Sequence, residues 1–325
     1  MPPTQGPILY LAPFQGITDA IYRTSFNRYF GGLDAAFTPY ISGTGTEKVS
    51  KNKLIDVLPE VNQAIRTIPQ ILSKDADEML LLSKSLAALG YSEVNWNMGC
   101  PFSRVANKQR GSGMLPYPLL VRQILDQLYQ NSMPVKLSVK MRTGYNGHEE
   151  ILAMIDVLND FPLTEVIVHP RTGKQLYKGE ASEAAFSAIV DKVKSPLAWN
   201  GDIFTVEKFR ELQNKFPSIQ RWMIGRGALI NPVLPLMISH PDAAKCIDWK
   251  KALSGFLHDI YLETYYRNEG RTAVVSRMKS LWVYLRESFE NPTEAFRVIR
   301  KTRTPEEYLE AEMKVIADAE LKLFY

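Results

Sequence analysis

Cys100 lies in "NWNMGCPFSRVANKQRGSGML", residues 95–115, between a glycine and a proline and just ahead of a basic, glycine-rich loop. An ordinary thiol, with a pKa of about 8.5, is mostly protonated at neutral pH and can serve as a proton donor. Other polar residues share its kind of position. Gln70, Asn97, Lys140, Arg142, His169, Arg171, Asn200, Asp202 and Arg226 each stand at or just past the C-terminal end of a short apolar or β-branched run. A thiol, an imidazole, three arginines, a lysine and amides brought together this way suit proton transfer beside an anionic group. The segments "NGD" and "GRGAL" add glycines that let backbone N–H groups approach an anion closely.

The elements that must hold these residues alternate. Strand-like runs "ILYLAP", "AAFTPYIS", "IPQIL", "EVNWNMG", "VKLSVKMR", "EVIVHPRT", "PLAWNGD" and "RWMIGRG" are separated mostly by helix-like stretches such as "ADEMLLLSKSLAALG", "PLLVRQILDQLY", "HEEILAMIDVLNDF" and "TVEKFRELQNKF". Eight strand-then-helix units predict an α/β fold, the closed (β/α)8 TIM barrel, whose active site lies at the C-terminal ends of its strands and whose phosphate sites commonly follow strands seven and eight. The stretch "GTGTEKVSKNKLIDVLPEVNQAIRT" reads as loop rather than helix. No G-x-G-x-x-G follows a strand and no G-x-x-x-x-G-K-[ST] occurs, so Rossmann and P-loop fingerprints are missing.

From about residue 243 only helical periodicity remains. "SRMKSLWVYLRESF" places Met278, Leu281, Trp282, Leu285 and Phe289 on one stripe. The division expected is a barrel over 1–242 and a small all-helical domain over 243–325. Between Arg267 and Arg303 there are nine Lys/Arg against four Glu, whereas residues 306–320 carry six acids and one lysine. The basic half suits either phosphate contact or an ordinary solvated helix face.

At 325 residues, 45% hydrophobic and 23% charged, the composition is that of a globular protein, and the net charge of +4 is too small to prove a polyanionic partner. Two cysteines 146 positions apart cannot build a structural zinc site, so no metal is expected. Free thiols are expected in a reducing cytosol, with Cys246 structural. No segment approaches the apolar length of a membrane span, and the N-terminal run is too short for a signal peptide; a cytoplasmic monomer is the expectation.

Taken together, "APFQGITD", "NMGCP" with "GSGML", "VKMRTG", "VHPRT", "NGDI" and "MIGRGAL" resemble the tRNA-dihydrouridine synthases, and "RMKSLWVYLRESF" leans toward the bacterial C-type subgroup. The resemblance implies an FMN-binding barrel followed by a helical domain that grips tRNA, and reduction of the C5=C6 bond of a D-loop uridine, with position 16 favoured. NADPH would reduce the flavin, and Cys100, on a mobile loop, would protonate C5. It further implies flavin contacts from Pro13, Phe14, Gln15, Gln70, Lys140, His169, Asn200, Gly201, Asp202, Gly225 and Arg226, and uracil contacts from Asn97, Arg142 and Tyr177. Arg104, Lys108 and Arg110 would meet the substrate backbone if the loop closes.

Some positions depart from the family pattern: Phe14 stands where methionine is usual, "HPRT" replaces "HGRT", "WNGD" replaces "ANGD", and "KQRGSGML" lacks an alanine. Phe14 is expected beside the flavin, and Pro170 in the turn after its strand, where it would shift His169. Two rival readings remain at this level. One is an FMN-dependent barrel oxidoreductase acting on a small molecule; the other is an RNA-binding protein that keeps the scaffold without catalysis.

Overall fold

In the computed structural model, which describes residues 6–43, 48–267 and 271–322, the strands run β1 Ile8–Leu11, β2 Ala35–Phe37, β3 Arg66–Ile68, β4 Gln70–Ile71, β5 Glu93–Met98, β6 Lys136–Gly144, β7 Val166–Thr172, β8 Leu197–Asn200 and β9 Arg221–Ile224. All pair in parallel, in the order β3-β2-β1-β9-β8-β7-β6-β5-β4. β3 and β4 are consecutive pieces on either side of Pro69, whose ring has no N–H to give a ladder. β3 pairs with β2 and β4 with β5, so these two pieces together close an eightfold barrel.

The helices follow from local chemistry. Asp75, Thr205 and Ser182 each accept a backbone N–H at the start of helices Ala76–Ala88, Val206–Lys215 and Glu183–Ser187. Pro118 opens Pro118–Gln130 at a position where no intrahelical N–H is needed. The 43–67 connection, expected as loop, is helical over about half of its described residues, in a short helix, Lys51–Leu54, and two 3-10 turns, Ile55–Val57 and Pro59–Val61, with residues 44–47 outside the described part.

Inside the barrel, Tyr10, Phe37, Ile68, Ile167 and Met223 form an apolar plug with alanines 12, 35 and 198. The helix-facing side chains belong to one continuous core that also takes in Leu253, Phe256, Ile260, Met278, Leu281, Trp282, Leu285 and Phe289. The helical region is thus seated on the barrel. Phe256 meets Tyr22, Phe26 and Phe30 at ring separations of 5.3, 6.4 and 5.2 Å. Gly255 permits that approach, because a Cβ there would stand 2.4 Å from the Tyr29 ring. After β9 come helices including Leu234–Ser239, Trp249–Arg267, Arg271–Leu285, Pro292–Lys301 and Pro305–Asp318.

Pro170 lies within β7 rather than in a turn after it. The β6–β7 register runs Arg142 to His169 and then jumps to Gly144 with Thr172, so Pro170 and Arg171 face the single residue 143 in a bulge. A residue without an N–H is tolerated there. His169 keeps its regular pairing, so the expected displacement does not arise by this route.

Candidate active site

The C-terminal ends of the strands frame an open cleft. Its walls come from β1 (Pro13, Phe14), β6 (Lys140), β7 (His169, Tyr177 beyond it), β8 (Asn200, Gly201, Asp202) and β9 (Gly225, Arg226). Ten of the residues expected at the site therefore share one pocket. Gln15 lies on a neighbouring cleft with Gly16, Asp19 and Tyr40. Gln70, Asn97, Cys100 and Arg142 lie beside the pocket, toward β4, β5 and β6.

Charge dominates the pocket. Asp202 accepts both Arg171 Nη atoms, at 2.9 and 2.5 Å, Arg226 Nη2 at 2.7 Å and the Ala181 N–H at 2.8 Å. Burial alone would raise its pKa, but these hydrogen bonds and the two arginines win, and the carboxyl is held below its ordinary value. Arg142 is 1% exposed and donates to three carbonyls, those of Gly99 (3.1 Å), Thr172 (2.6 Å) and Leu176 (2.6 Å). Burial lowers its pKa to about 10, with Arg171 and Arg226 adding to the effect. The Tyr177 ring sits between two guanidinium groups, 5.4 Å from that of Arg142 and 4.8 Å from that of Arg226.

Lys140 is partly open to the pocket, yet burial and the charge of Arg142 lower its pKa to about 7. His169 is held well below its ordinary value by burial and by the surrounding cations Arg142, Lys140, Arg171 and Arg226, so it is neutral. Arg171 Nη1, which can only donate, lies 3.0 Å from His169 Nε2. Nε2 must therefore accept, and the imidazole proton resides on Nδ1. Gly201, with φ of +147°, packs on this histidine: a Cβ would lie 3.1 Å from His169 Cδ2 and 3.2 Å from Ala181 Cβ.

Four cations and a neutral imidazole share the site with one carboxylate, itself doubly paired. Glycines at 201 and 225 leave backbone open to the pocket, and the first N–H groups of helix Arg226–Ile230 have no acceptor within that helix. The donor set fits a phosphate-bearing, anionic cofactor such as the expected FMN.

The amides form a ladder across the strands. Asn97 Nδ2 donates to Gln70 Oε1 (2.6 Å), Gln70 Nε2 to Asn95 Oδ1 (2.8 Å), and Asn95 Nδ2 to Ser138 Oγ (3.1 Å). Asn97 Oδ1 accepts the N–H groups of Gly99 (3.0 Å) and Cys100 (2.9 Å). The Cys100 carbonyl accepts both Ser112 N–H and Ser112 Oγ, each at 3.0 Å, which folds the glycine-rich loop back under the thiol. Cys100 itself is 7% exposed and packs with Leu72, Val105 and Tyr40. Burial pushes the thiol pKa up, against hydrogen bonds from Phe102 N–H and the Tyr40 hydroxyl and the charges of Arg142 and Arg104. Both cysteines are free.

Several participants escaped the sequence reading. Tyr284, in the helical region, meets the Phe14 ring edge-on at 5.9 Å. Arg277 donates to the carbonyls of Gly16 (2.5 Å) and Ile17 (2.8 Å) and to Asp19 (2.7 Å), tying the helical region to the loop after β1. Arg277 is thus spent on the barrel, Lys279 on the Thr302 carbonyl, Arg286 on Glu287, Arg297 on Glu294 and Arg267, at 4.0 Å, on Glu263; Arg300, Lys301 and Arg303 are exposed, and the Arg271 side chain lies outside the described part. Of the loop cations, Arg110 pairs with Glu78 at 3.5 Å, while Arg104 and Lys108 are exposed. Trp199 does not line the pocket and stacks with Phe216 at 5.4 Å, but its Nε1 donates to the carbonyl of the pocket residue Gly201 at 2.7 Å, so the "WNGD" departure touches the site from behind.

No helix among the described residues is long and apolar enough to cross a membrane, and no described cluster of His, Cys, Asp or Glu could hold a metal ion.

Comparison with known proteins agrees with this arrangement. The structure of the old yellow enzyme homologue from Zymomonas mobilis superposes with a TM-score of 0.50 at 11% identity, over 70% of this chain and 87% of that one, a likeness of fold. The tRNA-dihydrouridine synthase B of Pasteurella multocida (strain Pm70) is 30% identical over 227 residues, which is 70% of this chain and 67% of that protein. The tRNA-dihydrouridine(16) synthase of Neisseria meningitidis serogroup B is 28% identical over 244 residues, 73% of this chain and 72% of that protein. A family model described as dihydrouridine synthase matches residues 10–319. The chain belongs to the dihydrouridine synthase family.

Proposed function

We propose that this protein reduces the C5=C6 bond of a uridine in tRNA, using FMN held in the cation-lined pocket and NADPH as the external reductant. The observation that carries the reading is the buried, protonated Cys100 thiol, anchored beside a pocket lined by Lys140, Arg226 and Asp202, with Arg142 and Arg171 packed around it. When bound, the flavin would supply the hydride that adds to C6. That addition leaves negative charge at C5 and the adjoining carbonyl, and C5 must then receive a proton.

Cys100 supplies that proton. Its raised pKa keeps the thiol protonated at neutral pH, and Asn97 fixes its backbone. Asn97 retains one amide hydrogen beyond its bond to Gln70, which can meet the uracil edge. Arg142 and Tyr177 form the wall between thiol and pocket, while Lys140 offers positive charge to a reduced, anionic ring. Asn200, Gly201, Gly225 and Arg226 cradle the phosphate, with Asp202 acting through the arginines it orients. Pro13 and Phe14 provide apolar wall.

Residues 243–325 hold the tRNA, with Arg300, Lys301 and Arg303 as phosphate contacts. The target is the D-loop uridine at position 16, the position in the Neisseria relative's name. The base must leave its stack to reach the pocket, at a cost of a few kcal/mol.

The test is mass-spectrometric mapping of dihydrouridine in tRNA from cells lacking the gene, complemented with wild type or with Cys100→Ala. Loss of dihydrouridine at one position, restored only by wild type, is expected. Unchanged modification at every position would overturn the assignment.

A further inference from the structure

Giving up its proton leaves Cys100 as a thiolate that must be recharged before the next turnover, and the residue is 7% exposed, on a chain whose carbonyl is clamped by Ser112. While product still covers the face that the base approaches, the route back passes through a neighbour. Leu72 and Val105, which pack on the sulfur, carry no exchangeable proton. Tyr40 does. Its ring packs against the cluster that holds Cys100, and its hydroxyl lies within electrostatic reach of both the Cys100 sulfur and the Arg104 guanidinium. Tyr40 also lines a second cleft, shared with Gln15, Gly16, Asp19, Ser42 and Lys53 and open to solvent. Its ring thus spans from the buried thiol to water.

We propose that Tyr40 is the proton relay that restores the Cys100 thiol after each turnover. The inference rests on the reading of Cys100 as proton donor. The bookkeeping closes without a further reagent. The S–H bond breaks as C5–H forms, leaving a thiolate. The Tyr40 O–H then breaks as S–H re-forms, and the phenolate takes a proton from water in the second cleft. The thiolate stage has its own support: the Phe102 N–H, the Tyr40 hydroxyl and the charges of Arg142 and Arg104 all favour the charged form of the sulfur, and Lys140 adds positive charge nearby. Arg104, exposed and lying 6.0 Å from the Phe102 ring, stabilises the transient phenolate by the same electrostatics.

The experiment uses flavin-loaded, full-length protein in a Cys246→Ser background, because Cys246 is an exposed thiol. Tyr40→Phe removes only the hydroxyl, and Tyr40→Met provides a second variant that lacks it. The first readout needs no turnover: the pH midpoint for alkylation of Cys100 by chloroacetamide. Losing a hydrogen bond to the thiolate should raise it by about 0.5–1 pH unit. The second readout is rapid mixing of the pre-reduced protein with unmodified tRNA transcript, compared with steady-state turnover on NADPH. The first turnover should stay within about threefold of wild type, and steady-state turnover should fall about tenfold or more. An unchanged alkylation midpoint together with wild-type steady-state turnover would overturn the relay. Failure of the underlying reading looks different: Cys100→Ala would then itself retain turnover, whatever Tyr40 does.

Discussion

Asn97 Oδ1 accepts the backbone N–H of Cys100 at 2.9 Å and that of Gly99 at 3.0 Å, so the penultimate residue of β5 fixes the backbone that carries the thiol. The same side chain donates to Gln70, and through Gln70 and Asn95 the constraint reaches Ser138 in β6. Thiol placement is thus referenced to three barrel strands rather than to the loop alone.

Asn97→Ala should strand two N–H groups and the Gln70 Oε1 in a buried site, costing about 1–3 kcal/mol of stability by the usual penalty for a lost buried partner. Flavin content should stay near wild type, because Asn97 lies outside the main pocket. Turnover with tRNA should fall at least tenfold as the thiol loses its reference. Chemical denaturation, flavin absorbance and rapid mixing with tRNA read the three separately. Loss of flavin in step with turnover would show that the amide ladder supports the pocket instead.

Gly201→Ala places a methyl group where His169 and Ala181 already stand, at a backbone φ of +147° that side chains rarely adopt. The expected outcome is a stability loss of about 1–3 kcal/mol and weakened flavin retention, because the histidine ring must move. Equilibrium unfolding and the flavin-to-protein ratio after gel filtration check it. A variant that retains flavin at wild-type stability would mean the turn can relax to another conformation.

Much of this site was legible because the barrel ties sequence position to space. Residues ending successive strands converge on one face, so Lys140, His169, Asn200 and Arg226 could be grouped from strand runs alone. The stripe Met278, Leu281, Trp282, Leu285, Phe289 was equally legible and is buried. Partnerships were not. Whether Arg171 serves a substrate or a carboxylate depends on Asp202, 31 residues away, and whether Arg277 faces RNA or the barrel depends on Gly16, 261 residues away. Charge counts on a helix cannot separate a free cation from one already spent. Tyr40 carried no motif signal, and only packing against Cys100 reveals it. Pro170 was misplaced because a proline reads as a turn, whereas a bulge satisfies the same constraint.

Lys140 gives the flavin-free protein a pH signature with a definite sign. Its folded pKa is lowered to about 7 from an ordinary value near 10.5, so between those values the unfolded chain binds more protons. Stability contributed by this residue therefore rises as pH rises from about 7 toward 10. Lys140→Met removes the buried ammonium, and the variant should be more stable than wild type at pH 6–7. The gap should close at up to about 1.4 kcal/mol per pH unit above pH 7. Urea unfolding of both proteins across that range is the check, and a pH-independent difference would refute the lowered pKa.

Glu312 supplies the opposite signature from the helical region. It is 5% exposed, accepts the Tyr308 hydroxyl, and Tyr308 in turn accepts Trp282 Nε1 at 3.1 Å. Burial raises the carboxyl pKa to about 7, against the lowering effect of the Tyr308 hydrogen bond. A raised acid is fully stabilising below its unfolded pKa, near 4.5, and that stability is lost as pH rises through 7. Glu312→Gln keeps the shape without the charge. Wild-type stability relative to this variant should decline between pH 4.5 and 7 and level off above, with Trp282 fluorescence reporting the transition. A relative stability that increases with pH across that interval would mean that the carboxylate is held ionised by a cation, and that the helical region is anchored by an ion pair rather than by the neutral Trp282–Tyr308–Glu312 chain.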